Sequence, residues 1–551
     1  MNSDVSLDLH PNKASIIYYS RYYGLHPLLM HHLFLHGMDS QEKIDPFLFP
    51  SMGQFHDPFL LNDMKKSVFR IVRAIRNKEN ILIFGDYDAD GITSTSIVFL
   101  ALKQFGANVS FRLPTREDGY GITAESIEKA DQQNISLIIT VDNGSSAHDA
   151  MTAAKQVGID IIVTDHHEIL GNHPDCYSFI NPKREDNTYP FPYLAGAGVA
   201  FKLVHALFTV SNKDWEDFFY NYVELAALGT IADLMPLVGE NRVLCQFGIK
   251  KWNAQPCRPF LHLTRLLKLS HITSATISFS IAPLFNAIGR LSDPNIAVNL
   301  LTNSNVIEGD LKILIETNEK RKDLTQQQYV TCESIIQTNK LFNDEVIVVY
   351  GDFHHGLIGI LASRIAETFV KPAIVINNNG TASCRSVNGS TFSIINSLNH
   401  CAQFLIKYGG HQAAAGFSIC TDEKHLRDFI NALQISAKLG DSLTPIKKYL
   451  SILSPEQFTN DIYNDIICLE PFGQQFPQPI FVSPLLSSEG FTINKSEKGH
   501  VTFHSNKNDR YFFFNKANII EEKISSPFRF FYNSTLNNKR EFIIHDVNHD
   551  F

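Results

Sequence analysis

Residues 81–95 read ILIFGDYDADGITST, and the fold turns on how the first four relate to the acids behind them. Asp86, Asp88 and Asp90 followed by Gly91 match the first half of a calcium loop, in which alternate oxygens and a glycine turn wrap a hard cation. An EF-hand closes with a glutamate at the twelfth position, which here is Ile97, and it is entered from a helix. Neither condition holds. Ile81 to Phe84 is a short β-branched and aromatic run, the pattern of a strand buried on both faces. The acids therefore fall at the carboxyl end of a strand, where open α/β sheets place their ligand sites.

The same arrangement recurs downstream. Leu137 to Val141 is a second buried-strand run and ends in Asp142-Asn143-Gly144. Ile161 to Val163 leads into Asp165-His166-His167. Helical patterns at Ala124 to Gln133 and Ser146 to Val157 lie between, so the segment reads β-α-β-α-β and predicts a parallel sheet with all three acid clusters on one rim. A fourth group, Asp233, follows a helix predicted over Val223 to Gly229. One aspartate after a strand is usually a helix cap. Several on one rim repel one another strongly at low dielectric, and divalent cations resolve that. Carboxylates with one or two histidines suit Mg²⁺ or Mn²⁺, and a pair of such ions roughly 3.5–4 Å apart serves phosphoryl chemistry.

The rest of the chain bounds the possibilities. At 551 residues it needs several cores. No apolar run approaches the roughly 18 residues of a membrane span, and Met1 to Lys13 lacks the basic flank and apolar core of a signal peptide, so no membrane association is expected. Eight cysteines scattered without a C-x-x-C pair argue against zinc or a disulfide framework and fit a cytoplasmic location. A net charge of −9 offers no global attraction for nucleic acid, so any such binding needs a local basic surface.

Taken together, Asp86-Tyr87-Asp88-Ala89-Asp90-Gly91, Asp142-Asn143-Gly144, Asp165-His166-His167 and Gly229-Thr230-Ile231-Ala232-Asp233 resemble the four ordered motifs of the DHH phosphoesterase superfamily. The resemblance implies metal-dependent hydrolysis of phosphoesters or phosphoanhydrides. One departure is Phe84, which stands where many members have a metal-binding histidine. Tyr408 to Ile419, YGGHQAAAGFSI, resembles the DHH-associated domain, with its G-G-H-x-x-A-A-G motif complete from Gly409 to Gly416. In that lobe His354, Arg364, Ser383, Arg385, Gly410 and His411 are candidate substrate ligands, the arginines as phosphate donors. Residues 241–340 read as mostly helical, with a long polar helix around Asp310 to Gln337 expected to join two lobes across a cleft. Asn286 and Arg290 are placed at that cleft. RecJ-type exonucleases usually read P-R-x-N-A-x-G-R there, and Leu284 replaces the first arginine.

Beyond Leu469-Glu470-Pro471-Phe472-Gly473, short alternating segments suggest a small β-barrel, similar to the OB-fold of RecJ. Phe491, Phe503, Tyr511, Phe512, Phe528, Phe530, Phe531 and Tyr532 interleave with Lys495, Lys498, Lys507, Arg510, Arg529, Lys539 and Arg540, the composition of a surface that stacks and tracks a single strand, although alternation commits about half of the aromatics to the core.

The expected architecture is α/β: an N-terminal segment (1–65), a parallel-sheet DHH lobe (66–240), a helical connector (241–340), a second α/β lobe (341–445) and an OB-fold (446–551). The resemblance implies a 5′→3′ exonuclease specific for single-stranded DNA, acting in repair and recombination and releasing 5′-mononucleotides, with a helicase and a single-strand-binding protein as candidate partners. Asp86, Asp88, Asp90, Asp142, His166 and Asp233 would hold two Mg²⁺ or Mn²⁺ ions; Asp142, His166, His167 and Arg290 would serve catalysis; Arg116, with Ser383, Arg385 and His411, would grip a 5′-phosphate. Two rivals remain open: a DHH phosphodiesterase for short oligonucleotides or cyclic dinucleotides, and a non-catalytic DHH-type replication scaffold.

Overall fold

The computed structural model describes residues 3–4, 10–116, 118–119, 121–169, 171–438, 448–496, 499–514, 520–525, 527–535 and 540–548. They form two compact units, one of residues 3–289, 293–314 and 448–548 and the other of residues 290–292 and 315–438.

The first unit is built on a parallel sheet of β1 (Asn80–Phe84), β2 (Asn108–Arg112), β3 (Leu137–Val141), β4 (Asp160–Thr164) and β5 (Ser178–Ile180), in the order β2-β1-β3-β4-β5. Sequence patterning picks out only the three inner strands. The edge strands escape because β2 alternates polar and apolar residues and β5 is three residues long. Among the helices of this region are α1 (Met64–Arg76), α2 (Ala89–Gln104), α3 (Ala124–Gln132), α4 (His148–Val157), α5 (Gly196–Val210), α6 (Trp215–Ala232), α7 (Gly239–Ala254) and α8 (Ala282–Leu291). Leu82 and Phe84 pack with Ile127 and Ala130 of α3 and Met151 and Ala154 of α4, while α2 and α5 pack on the sheet and on α6. Phe84 is thus a core residue under α3 and α4. Helix α6 starts well before the predicted Val223 and runs through Ala232, with Asp233 as its C-cap.

In the second unit, α9 (Glu308–Thr338), which begins in the first unit, leads to β6 (Ile347–Gly351), α10 (Ile358–Phe369), β7 (Ala373–Asn377), β8 (Thr381–Arg385), β9 (Leu405–Gly410) and β10 (Ala414–Ile419). The strands order as β9-β10-β8-β7-β6, parallel only between β6 and β7.

The chain then returns to the first unit with a seven-stranded sheet: β11 (Ser451–Ile452), β12 (Phe481–Val482), β13 (Phe491–Lys495), β14 (Val501–Ser505), β15 (Arg510–Phe513), β16 (Arg529–Ser534) and β17 (Glu541–Asn548), ordered β11-β12-β16-β17-β15-β14-β13. Its inward side chains form one cluster that also takes in Ile16, Leu29, Leu33 and Phe47 from the start of the chain. Residues near the two ends of the sequence therefore share a core. The proposed stacking surface is corrected here: Phe503, Tyr511, Phe528, Phe530 and Tyr532 are buried in that cluster, Phe531 is buried in a separate one with Tyr449 and Val482, and Phe491 and Phe512 stay partly exposed. The basic residues are also engaged. Lys507 pairs with Glu456, Arg510 with Glu541 and Arg540 with Asp509, while Arg529 donates to the Ser483 carbonyl. Lys498 and Lys539 lie outside the described residues.

One buried arginine ties this sheet to the helical layer. Arg242 of α7 is 2% exposed, stacks 3.5 Å from the Phe47 ring centre, and donates to the carbonyls of Phe47 (3.1 Å), Leu469 (2.8 Å) and Pro471 (3.0 Å). The backbone of the L-E-P-F-G turn thus hydrogen-bonds to one fixed guanidinium. Arg242→Met keeps the stem and leaves those buried carbonyls unpaired, so a loss on the order of 3 kcal/mol is expected in urea unfolding. Unfolding midpoints matching wild type would show that the turn is held by other contacts.

Candidate metal centre

Each strand end delivers its acid to the same rim. Gly85 follows β1, and Asp86 and Asp88 follow it; Asp88 Oδ1 caps α2 by accepting from the N–H groups of Asp90 and Gly91, 3.0 Å each. Asp90, in the first turn of α2, accepts from Gly196 N–H (2.7 Å) and Ala197 N–H (2.8 Å) at the N-terminus of α5. Asp142 directly follows β3 with a left-handed backbone (φ +63°), a conformation aspartate tolerates better than most residues. His166 follows β4, and Asp233 enters from α6. His166 Nε2 lies 3.1 Å from Asp142 Oδ1, 3.5 Å from Asp233 Oδ2 and 3.7 Å from Asp90 Oδ2.

The potential ligand atoms fall into three overlapping sets, each within 4.8 Å: Asp86, Asp88 and Asp142; Asp90, His166 and Asp233; Asp142, His166 and His167. Asp142 and His166 each belong to two, and of these the carboxylate, with two oxygens, is the one that could serve two neighbouring ions. Gly196 is required for the close packing. A Cβ there would stand 2.5 Å from Asp142 Oδ1.

Electrostatics test whether this cluster fits a cation. Burial, then the neighbouring carboxylates, raise Asp86, Asp142 and Asp233 well above the ordinary aspartate range. Asp90 is pushed up to about 7 by burial and by Asp88, against the pull of the two α5 N–H groups. Burial lowers His166 to about 3, so it is a neutral imidazole with a lone pair to offer. Asp86 Oδ1, Asp142 Oδ1 and both ring nitrogens of His166 are buried without a hydrogen bond. Buried acceptors left unpaired are costly, and a divalent ion satisfies them. Oxygen ligands with one or two imidazoles fit Mg²⁺ or Mn²⁺.

Asp165, assigned no role from the sequence, orients the histidines. Its Oδ1 accepts from His166 N–H (2.8 Å) and lies 2.8 Å from His167 Nδ1, and its Oδ2 accepts from Ser145 N–H. Burial alone would raise its pKa and lower that of His167; the bond between them overrides burial, taking Asp165 below the usual range and His167 up to about 9. Its place in the D-H-H triplet was the available signal. Asn143 was also missed: its Nδ2 donates to the carbonyls of Phe84 and Val141, tying the ends of β1 and β3 together.

The other expected site residues are distributed as follows. Arg116 stacks on Tyr87, 4.2 Å from the ring centre, beside the Asp86–Asp88 turn. Asn286 Oδ1 accepts from Ala89 N–H at the start of α2. Gly289 packs on the Tyr87 carbonyl so closely that a Cβ would fall 1.9 Å from its oxygen. In the second unit, Arg385 donates to Ser383 Oγ (3.3 Å), and both side chains approach Gly359 in the first turn of α10. A hydroxyl, a guanidinium and a helix N-terminus thus lie together there, groups of the kind that bind anions. Arg364 is placed otherwise: it stacks 3.8 Å from the Tyr329 ring centre and donates to Gln326, both on α9. Arg290 donates to the Gly356 carbonyl, and His354 Nδ1 accepts from Gly356 N–H. Gly410 closes β9 with φ +146°, and His411 is exposed beyond it.

Comparison with known proteins places this geometry. Models of the DHH family N-terminal domain, the DHHA1 domain and the RecJ OB domain match residues 80–230, 343–438 and 451–542. The single-stranded-DNA-specific exonuclease RecJ of Bacillus subtilis is 34% identical over 467 residues, covering 82% of this chain and 58% of that protein. The Escherichia coli RecJ is 32% identical over 453 residues, covering 76% of this chain and 78% of that one. This chain belongs to the RecJ family. RecJ from Thermus thermophilus in complex with Mn²⁺ has the same fold, with a TM-score of 0.80 at 24% identity over 98% of this chain and 78% of that one. A second RecJ crystal structure, bound to manganese, gives a TM-score of 0.59 at 29% identity over 69% of this chain and 95% of that one. The chain spans under three fifths of the Bacillus relative's length. Phe84, the departure from the DHH superfamily motif, and Leu284, the departure from the RecJ-type motif, are both core positions, 1% and 2% exposed.

A pH dependence follows with a definite sign. Carboxyls whose folded pKa is raised favour the folded state while protonated and lose that contribution as pH rises through the folded value. Metal-free protein is therefore expected to lose thermal stability between the unfolded aspartate value, about 4, and the about 7 of Asp90 and beyond. Added Mn²⁺ should restore it most at the upper end, by about 2.7 kcal/mol at a hundredfold excess over Kd. Asp142→Asn should raise the metal-free Tm at pH 8 and blunt the Mn²⁺ response. Scanning fluorimetry across pH reads both, and an undiminished Mn²⁺ gain in the variant would remove Asp142 from the centre.

Proposed function

We propose that this chain is a single-stranded-DNA-specific 5′→3′ exonuclease that releases 5′-mononucleotides and uses two Mg²⁺ or Mn²⁺ ions. The observation that carries the reading is the set of buried, unpaired ligand atoms of Asp86, Asp142 and His166 on one sheet rim, in a chain whose relatives are named single-stranded-DNA-specific exonucleases. Asp86, Asp88 and Asp142 would hold one ion and Asp90, His166 and Asp233 the other, with Asp142 shared. Bound there, such ions would supply a nucleophile from water at neutral pH and would neutralise charge on the phosphoryl oxygens. Asp165 fixes the His167 ring through the contact at Nδ1, so that the ring could present its other nitrogen to a phosphoryl oxygen as negative charge grows there. Asn286 and Gly289 hold the Ala89 and Tyr87 backbone, and with it the acid turn, in register.

Arg385, Ser383 and the α10 N-terminus would bind the terminal 5′-phosphate. Repair and recombination, a cytoplasmic location, and a helicase and single-strand-binding protein as partners belong to the same proposal. Among the described residues no helix is long and apolar enough to cross a membrane.

End-labelled single-stranded and duplex DNA with Mn²⁺ tests the activity: mononucleotides from the 5′ end of the single strand are expected, and internal or 3′-end cleavage would refute the reading. Arg385→Ala tests the end-recognition step. It should raise KM for 5′-phosphorylated strands by an amount on the order of 1.5–3 kcal/mol, as for a hydrogen bond to a charged group, and affect 5′-hydroxyl strands much less. An equal penalty on both substrates would move Arg385 away from the terminus.

A further inference from the structure

Phe279 is 83% exposed, the most exposed large apolar side chain among the described residues, and no ring packs against it among them. It stands in a π-helical turn, Ile277–Ile281, that runs directly into α8. Such a turn inserts an extra residue into a helix and concentrates at functional sites. From Ile281 to Gly289 only Pro283 and Asn286 escape burial. With Phe279 they are spaced by four and three residues, one stripe along a helix.

Both ends of this stripe are anchored. Ahead of it, Ser274 N–H donates to Glu470 Oε1 (2.6 Å) and Ser274 Oγ to the Phe472 carbonyl (2.8 Å), in the turn that leads to the C-terminal sheet. Beyond it, Asn286 accepts from Ala89 N–H, next to Asp90. The π-turn packs on α6, the helix that Asp233 caps. The stripe therefore leads from the start of the RecJ OB region to the metal centre. Seven residues of helix place Phe279 roughly 10 Å from Asn286, about three nucleotides of a stacked strand at 3.4 Å each.

Resting on the nuclease reading above, we propose that Phe279 is a stacking platform for a base of the single strand, a few nucleotides to the 3′ side of the scissile phosphate. A flat aromatic face accepts any base, as a nuclease without sequence preference requires. The C-terminal aromatics proposed from the sequence are mostly core, so the stacking role passes to the helical segment. The ring holds the strand in line without touching the reacting atoms, which makes Phe279 a positioning residue.

The test combines Phe279→Ala, Phe279→Leu and Phe279→Trp with steady-state kinetics on a dodecanucleotide and a dinucleotide. Phe279→Ala should raise KM for the dodecanucleotide about tenfold, with the ratio to wild type shrinking on the dinucleotide, which is too short to reach the ring. Trp should rescue and Leu should not. Separately, 2-aminopurine is placed at successive positions of a thymidine strand and its fluorescence read in EDTA, where nothing is cleaved. Quenching at one position within the first few nucleotides, lost in Phe279→Ala, is expected. Rescue by Leu as good as by Trp, or a quenching pattern unchanged in Phe279→Ala, would overturn the platform. Absence of cleavage by wild type with the quenching intact would overturn the nuclease reading and leave the stacking site standing.

Discussion

Like charge gathered on one sheet rim is the constraint on which the rest of the structure depends. Asp86, Asp90 and Asp142 are buried on it, ligand oxygens of Asp86 and Asp142 lie within 4.8 Å of each other, and His166 and Asp233 join Asp90 in a second such set. Two carboxylates 4 Å apart repel by about 4 kcal/mol at an effective dielectric of 20. The fold meets part of this with fixed donors, the α5 N–H groups on Asp90 and the α2 N–H groups on Asp88. Asp142 Oδ1 and Asp86 Oδ1 receive no such donor, so the cluster is arranged for divalent cations.

The scaffold around it holds backbone rather than side chains. Asn143 links the ends of β1 and β3, Asn286 holds the first N–H of α2, and Gly289 allows the Tyr87 carbonyl to lie against α8. Each contact fixes a turn whose acid then has little freedom left, which is how a site on loops reaches the precision of one on rigid elements. Arg242 acts in the same way farther out, holding four carbonyls from two distant segments. Removing one donor from such a network leaves several groups unpaired, so its effect exceeds that of a single hydrogen bond.

The departures from the superfamily pattern at Phe84 and from the RecJ-type pattern at Leu284 become intelligible in three dimensions. Phe84 joins the packing of β1 against α3 and α4, and Leu284 is buried in the first turn of α8. A histidine or an arginine at these positions would carry a polar group into apolar surroundings, whereas the residues present add to the core. The carboxylates of Asp86, Asp88 and Asp142 still gather beside Phe84 at the end of β1 and β3.

By itself, the sequence determined the inner strands, the helices between them and the placement of the acids at strand ends, because a buried parallel strand is a local apolar run and the residue after it is at the rim by construction. For the same reason it placed Asp86, Asp88, Asp90, Asp142 and His166 on the one rim where their ligand atoms gather. Only the tertiary structure decided which side chains face where. Alternation along β14, β15 and β16 is the same for a core aromatic as for a stacking one, and the pairing of strands distant in sequence sent Phe503, Tyr511 and Phe530 inward. Arg364 reads as a phosphate donor until α9 brings Tyr329 beneath it. Residues near the first and last parts of the chain share a core because their apolar faces meet only after folding. Local period fixes an element and its ends, while burial and partnership depend on contacts hundreds of residues apart along the chain, which no local pattern encodes.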